Sequence, residues 1–466
     1  MPLVNDVHSR LNPTRVQRIE RPTTLEGIQR LVTSSANEGR ALSLCGARHA
    51  MGGQAFGTDA TLLDTGGLDR ILAFDPSSGT ARVEAGIRWP ALIRGCLERQ
   101  RGRPEAWGIA QKQTGADRLS LGGALSANVH GRGLSMKPLV ADVESFVVVD
   151  AQGEARRCSR TENSDLFRLV IGGYGLFGVV YSVTLRLVPR RKIRRVVDVI
   201  HSDEVLDAFD GRISDGFLYG DFQFDIDPAS DGFLHRGVFS CYHPVDDDTP
   251  MPVARRLTEN DWRELLFLAH VDKSAAFRRY ADYYRSTSGQ LYWSDTHQLG
   301  VYLDDYHKEL DRRLGSPQPA TEVITEIYVP RKGFVAFLEA VREDFRRHGT
   351  ELIYGTVRLI ERDGETFLPW ARQNWACIVF NLHTVHTPEG IRQSADAFRR
   401  LIDLALLQGG SFYLTYHRFA TREQIEACHP SFRGFLREKR RRDPGKTFQS
   451  DWWHHHERMF RRESAA

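Results

Sequence analysis

LSLCGARHAMGGQ, Leu42–Gln54, opens with a short apolar run and then breaks into small residues around one basic pair, Arg48 and His49. A tight turn uses glycine because glycine reaches backbone angles that other residues avoid. It has no comparable need for an imidazole. Successive backbone N–H groups in a turn of small residues make an anion-binding concavity, and the small side chains let the backbone approach a phosphate. The stretch reads as a strand followed by a phosphate-wrapping loop, with His49 unexplained by folding.

Two more loops of this kind follow within about 140 residues. One is GADRLSLGGALSANVHGRG, 115–133, in which Ser120 and Ser126 can hydrogen-bond a phosphate or a flat ring edge. The other is GGYGLFGVV, 172–180. None matches GxxxxGK[ST], which excludes a P-loop. Gly173, Gly175 and Gly178 match GxGxxG, but they precede a strand. The dinucleotide fingerprint follows a strand and opens a helix. Each loop alone is explained as well by tight packing; together they favour one extended ligand carrying a pyrophosphate.

The 466 residues suggest two or three domains, or one large domain with an insertion. A hydrophobic share of 41% and a charged share of 26% are ordinary for a globular protein with a full core. With 63 basic against 60 acidic side chains, net +3, the charge is too balanced for a nucleic-acid or membrane surface. No apolar run is long enough for a membrane span. The N-terminal MPLVNDVHSRLNPTRVQRIERP lacks the apolar core of a signal peptide. The six cysteines are scattered and form no CxxC pair, which fits reduced thiols in a cytoplasm and no metal centre. HisHisHis at 454–456 reads as structural, because adjacent side chains rarely converge on one ion.

Helices and strands alternate through the first 190 residues. The patterns predict a helix over 22–39, a strand over 41–46, strands within 60–86, a helix over 89–100, a hairpin over 143–158 and a strand over 176–190. From about 191 to 430 the chain is rich in Trp and Tyr, with long alternating strands at 216–227, 320–330 and 375–386 and amphipathic helices at 331–349 and 390–410. Strand blocks with covering helices imply an α+β domain on an antiparallel sheet.

In their order, the three loops resemble the FAD-binding domain of the vanillyl-alcohol oxidase family. LCGARHAMGGQA is similar to that family's pyrophosphate loop, LSLGGALSANVHG to its second flavin segment, and IGGYGLFGVV to its third. Asp443-Pro444 and Phe448 resemble its closing segment, which folds back on the FAD domain. The resemblance implies a PCMH-type FAD domain of two subdomains over 15–190, a substrate or cap domain over 191–430, and a returning segment over 431–466. It implies flavin contacts at Cys45, Gly46, Ala47, Arg48, His49, Ala50, Gly53 and Gln54. In the second segment it implies Gly115, Ala116, Ser120, Gly122, Gly123, Ser126, Ala127, His130 and Gly131. In the third it implies Gly173, Gly175, Gly178, Val179 and Val180. His49 occupies the position that in many members is bonded to the flavin 8α-methyl; the alternative is a histidine that only hydrogen-bonds the flavin. No cysteine lies between Gly115 and Gly133, so a single bond is expected.

The resemblance further implies an oxidase or dehydrogenase that moves hydride from a CH–OH group of a small alcohol, sugar or lactone-like substrate to flavin N5, then to oxygen or a quinone- or dye-like acceptor. TyrGlyThrValArgLeuIle, 354–360, places Thr356, Arg358 and Ile360 on one face by the period of two. It looks like the strand that presents an arginine to substrate and flavin in alditol and aldonolactone oxidases. Alditol oxidases have glutamate two positions earlier, where this chain has Thr356. Asn381 and His383 share a strand face; Glu326 and Tyr328 add polar groups; His417 and Arg418 lie in a segment similar to one that places a basic residue over the flavin. Arg358, His383, His417 and Arg418 are the catalytic candidates, with either histidine as base. Alternatives are a non-covalent dehydrogenase like the decaprenylphosphoryl-ribose oxidases, a tailoring oxidase acting on CH–NH or C–C bonds, and a non-catalytic flavin module. A monomer or homodimer is expected.

Overall fold

The apolar run that opens the first loop is a strand, Leu42–Cys45, at one side of a three-stranded parallel sheet with Thr61–Asp64 in the centre and Arg18–Glu20 beyond. The structure is a computed structural model and describes residues 1–103, 105–301 and 303–461. Helix Leu25–Asn37 starts where the Thr24 hydroxyl accepts from the Gly27 N–H. It buries Ile28 and Val32 in a cluster with Leu42, Leu63, Val149 and Val179. That cluster joins the parallel sheet to a second, antiparallel sheet. In spatial order its strands are Ala155–Ser159, Val143–Val149, Val179–Arg186, Thr80–Glu84 and Ile71–Asp75.

The second glycine-rich segment is not all loop. Residues Leu121–Ala127 form a short helix capped by Ser120, whose hydroxyl accepts from the Gly123 N–H. A serine cap makes a helix viable where two consecutive glycines argue against one. Its Gly122 is wedged against Ala85, where a Cβ would lie 2.9 Å from the alanine methyl.

Past residue 190 the chain builds one eight-stranded antiparallel sheet. Its spatial order is Leu291–Trp293, Lys192–His201, Arg236–Val245, Tyr219–Phe224, Leu352–Ile360, Trp375–Val385, Ala320–Pro330 and Ser411–Phe412. Side chains alternate across it. Phe380 points to helices Phe334–His348 and Pro388–Leu407, meeting Phe337 and Phe345. Its neighbour Asn381 points the other way, into a cavity. The architecture is α+β, with antiparallel sheet and helices covering the flavin-loop region.

The C-terminal helices Phe432–Arg442 and Asp451–Arg461 flank a segment that returns to the parallel sheet. There Leu42 donates to the Thr447 carbonyl at 2.6 Å and accepts from the Gln449 N–H at 2.8 Å. Asp443 shapes the return: it accepts from the backbone N–H groups of Thr447 and Phe448 and is paired with buried Lys439. In the last helix His456 bonds the Trp452 carbonyl while His454 bonds Gln449, so the three adjacent histidines do not converge. Among the described residues, no helix is long and apolar enough to cross a membrane.

Candidate active site

A cavity of about 900 Å³ runs between the three glycine-rich segments and the cap sheet. From the first segment it is lined by Cys45, Gly46, Ala47, Arg48, His49, Ala50 and Gln54. From the second it takes Gly115, Ala116, Ser120, Gly122, Gly123, Ser126 and Ala127, and from the third Gly175, Gly178, Val179 and Val180. The backbone N–H groups of Ala47, Arg48 and Ala50 donate to no group among the described residues. Arg48 sits at φ 60°, in the left-handed region. Such a kink in a run of small residues turns successive N–H groups toward one side, as an anion site requires.

Gly46 shows how closely the first two segments cross. A Cβ there would fall 2.1 Å from the Ser120 hydroxyl oxygen. Gly46→Ala is therefore expected to reduce the FAD incorporated per chain. Adding Ser120→Gly should restore part of it, since glycine at a helix cap costs only a few tenths of a kcal/mol. Unchanged incorporation in the single variant would show that the crossing yields freely.

Four residues of the flavin segments lie outside the cavity lining. Gly53 packs on Arg418 and Asn12, Gly131 on the Lys112 carbonyl, and Gly173 on the Leu169 carbonyl. Each gives room for backbone or side chain behind the loop instead of facing the cavity. The fourth, His130, is buried with Nδ1 3.0 Å from the Gly131 carbonyl and Nε2 2.8 Å from Glu326. Both ring nitrogens thus face oxygen acceptors.

His49 borders the cavity with its Nδ1 2.6 Å from Nε2 of His8, which arrives from the N-terminal segment. Burial, then the His8 ring and the Arg88 and Arg118 charges, lower the His49 imidazole to about 3. The guanidinium of its chain neighbour Arg48 is turned to another partner, Asp64, 3.5 Å away.

On the cap side Tyr354 and Arg358 face the cavity from one strand, Val379 and Asn381 from the next, and Ile324 and Glu326 from the third. Arg358 is buried, yet its Nε and Nη1 have no hydrogen-bond partner among the described residues. The same holds for Asn381 Oδ1, Gln113 Oε1 and Thr415 Oγ1, all on cavity-lining residues. Leaving a buried polar atom unpaired costs about 1–3 kcal/mol, so a convergent set of them marks where a ligand binds. Glu326 differs in being saturated. It accepts from His130, Tyr328 and Tyr416. Burial alone would raise its carboxyl, but the His130 charge and hydrogen bond, the Arg358 charge and the Tyr416 hydroxyl bring it down to about 2.

Three of the four catalytic candidates lie elsewhere. His417 is on the helix side of the cap sheet, stacked on Phe398 at 4.6 Å and bonded to Thr325, and burial followed by the Arg399 charge lowers it to about 3. Past Ser411–Phe412 the chain is no longer a strand, so alternation does not carry to residue 417. Arg418 bonds Asn12 behind the first loop. His383 shares a strand face with Asn381, but two residues further along, roughly 6.6 Å, it has passed the end of the cavity and meets Glu322. Only Arg358 of the four borders the cavity. Sequence reasoning did not single out His8, Gln113, Arg132, Asp221, Gln223, Thr415 or Tyr416, which also line it. Thr415 and Tyr416 adjoin the two residues chosen instead; Gln113 and His8 carry no local signal.

Residues 16–159 match a family model described as FAD binding domain. The chain is 32% identical to an uncharacterized oxidoreductase of the fasciation locus of Rhodococcoides fascians, over 36% of each chain. It is 22% identical to an L-gulono-1,4-lactone dehydrogenase of Mycobacterium tuberculosis over 93% of this chain and 94% of that one. It is 24% identical to the decaprenylphosphoryl-beta-D-ribose oxidase of Mycolicibacterium smegmatis over 91% of both. Residues 16–159 carry an FAD-binding domain of the PCMH type, and the chain is an FAD-linked oxidoreductase. Its cavity fits that cofactor. Loop N–H groups without partners suit a pyrophosphate, and the glycines of the second segment leave the approach open. Thr415 Oγ1 and Gln113 Oε1 are buried polar atoms still to be paired.

Proposed function

We propose that this flavoenzyme oxidises a CH–OH group of a polyhydroxylated, sugar- or lactone-like substrate, with FAD bonded to His49. The observation that carries the substrate class is the set of unpaired buried atoms on the cap side. Arg358 offers donors at Nε and Nη1; Asn381 and Gln113 offer acceptors at Oδ1 and Oε1. Alternating donors and acceptors suit a row of hydroxyl and carbonyl oxygens, because each hydroxyl both gives and takes a hydrogen bond. The gulonolactone dehydrogenase relative, matched over nearly its whole length, supports the same reading. When bound, FAD would supply the hydride acceptor and the route for the electron pair to oxygen or a quinone-like acceptor. The chain's own residues hold and polarise the donor, with Arg358 stabilising charge on its oxygen. The test is anaerobic flavin bleaching by a panel of sugar lactones, polyols, simple alcohols and amines. Bleaching by polyhydroxylated donors is expected; bleaching by amines alone would reject the proposal.

The covalent bond rests on His49 standing beside the cavity as a neutral imidazole, which is a nucleophile. Acid-precipitated protein is expected to stay yellow, and His49→Ala to release its colour to the supernatant. Because the imidazole is held near 3, attachment to apoprotein should proceed at a pH-independent rate from about pH 5 to 8. Colour released from the unmodified protein would favour the non-covalent, decaprenylphosphoryl-ribose oxidase-like reading. Six unbridged buried cysteines support a cytoplasmic location. The proposal extends to a monomer or homodimer needing no nucleic acid or membrane.

A further inference from the structure

Glu322 lies on the same strand as Glu326, one turn of the pleat beyond the substrate cavity, and is 1% exposed. Three imidazoles surround it from three different elements. His270 comes from helix Glu259–Val271, with Nε2 3.3 Å from Glu322 Oε1. His383 comes from the paired strand position, with Nδ1 3.4 Å from the same oxygen. His307 comes from helix Tyr306–Leu314, with Nδ1 3.3 Å from Oε2, the oxygen that also accepts from the Tyr306 hydroxyl at 2.5 Å.

These contacts are poor hydrogen bonds. An imidazole–carboxylate bond is about 2.7–2.9 Å long. Here His270 Nε2 and His307 Nδ1 are buried and make no hydrogen bond among the described residues. The separations are instead those of ligand atoms sharing one ion. With bonds of about 2.0–2.1 Å, the edges of a tetrahedron are roughly 3.3–3.4 Å. The His270 and His383 rings stand nearly perpendicular, at 81°, so that both can point at one place without stacking.

We propose that His270 Nε2, His383 Nδ1 and Glu322 Oε1 bind a divalent transition-metal ion of the zinc class. Two imidazoles and one carboxylate suit such an ion, whereas Mg²⁺ and Ca²⁺ take oxygen ligands. Tyr306, donating to the second carboxylate oxygen, orients the ligand as an outer partner does. His307 and Glu322 border a second cavity of about 340 Å³, which shares Gln223, Tyr354 and Asn381 with the large one. The ion ties helix Glu259–Val271 to the cap sheet. That helix carries Trp262, and the segment before it carries Arg255 and Arg256, all at the large cavity. Metal binding would thus set the position of one cavity wall. The outermost ligands, His270 and His383, are 113 positions apart, so no local spacing marks them.

Two other groupings of ligand-type side chains exist among the described residues, and neither is comparable. In His130–Glu326–Cys377 the imidazole–carboxylate distance is 2.8 Å, a hydrogen bond, and the carboxylate is saturated. His201–Asp203–His235 lies at the surface with the two rings bonded to each other at 3.0 Å.

The test uses full-length, flavin-loaded protein stripped with a chelator, dialysed against Zn²⁺ or Co²⁺ alone, and assayed for metal per chain. About one ion per chain is expected, with the visible d–d bands of four- or five-coordinate Co²⁺. His270→Gln and His383→Gln should each lower retained metal at least tenfold while leaving the flavin spectrum intact; His235→Gln should retain it. Substoichiometric metal in the unmodified chain, absence of the Co²⁺ bands, or full retention in both cluster variants would overturn the site. If a cluster variant does not fold, the Co²⁺ spectrum of the unmodified chain decides.

Discussion

Arg358→Ala is expected to slow flavin reduction by about 10²–10³-fold, the loss typical of removing one preorganised donor from a developing charge. FAD content should be unchanged, because Arg358 lies on the cap sheet and not in the three glycine-rich segments. Some stability should be lost as well, because the Arg358 charge helps hold the buried Glu326 carboxyl ionised. Slower reduction at unchanged FAD content separates a role at the donor from a general loss of fold. Arg358→Lys retains the charge but not the planar fork, so it should recover only part of the rate. Anaerobic stopped-flow reduction and thermal unfolding measure the two quantities. Normal reduction kinetics in Arg358→Ala would remove the residue from the mechanism.

Glu326→Leu should cost about 3–5 kcal/mol of stability, the range for removing one partner of a buried charge pair. The loss has identifiable parts. His130 Nε2, Tyr328 Oη and Tyr416 Oη would each lose their acceptor, and the Arg358 charge its nearby carboxylate. Glu326→Gln keeps an acceptor for the tyrosines but presents an amide near His130, so a smaller loss of about 1–3 kcal/mol is expected. Denaturant midpoints check both, and a loss below that of an exposed glutamate would disprove the hub. The pH dependence has a defined sign. The Glu326 carboxyl titrates near 2 in the folded chain against an ordinary 4.5, with His130 and Arg358 facing it. Its contribution is therefore present above about pH 4.5 and is lost as the pH falls through 2. Glu326→Gln should flatten that part of the acid limb.

The functional assignment was legible to different depths in different places. The three flavin segments are local: a strand end, small residues and a turn are contiguous in sequence, and most of the residues named in them border the cavity. Arg358 was legible because it lies inside a regular strand, Leu352–Ile360, where alternation holds. His417 was misplaced because it follows the two-residue strand Ser411–Phe412, where alternation has ended. His383 was misplaced for a different reason. Its face was read correctly, but a face says nothing about how far along the strand the cavity extends.

The sequence by itself determined the α+β class and the FAD-binding domain, since these follow from periodicity and from motifs that are continuous in the chain. Only the tertiary structure decided the partners. His8 reaches His49 across 41 positions, His130 reaches Glu326 across 196, and Gln113 reaches Tyr416 across 303. Such pairs are made by strands and loops that cross in space, and no local pattern of hydrophobicity or turn residues encodes the crossing. The same holds for the three imidazoles around Glu322. Two helices and one strand bring them to a single carboxylate only in the folded chain.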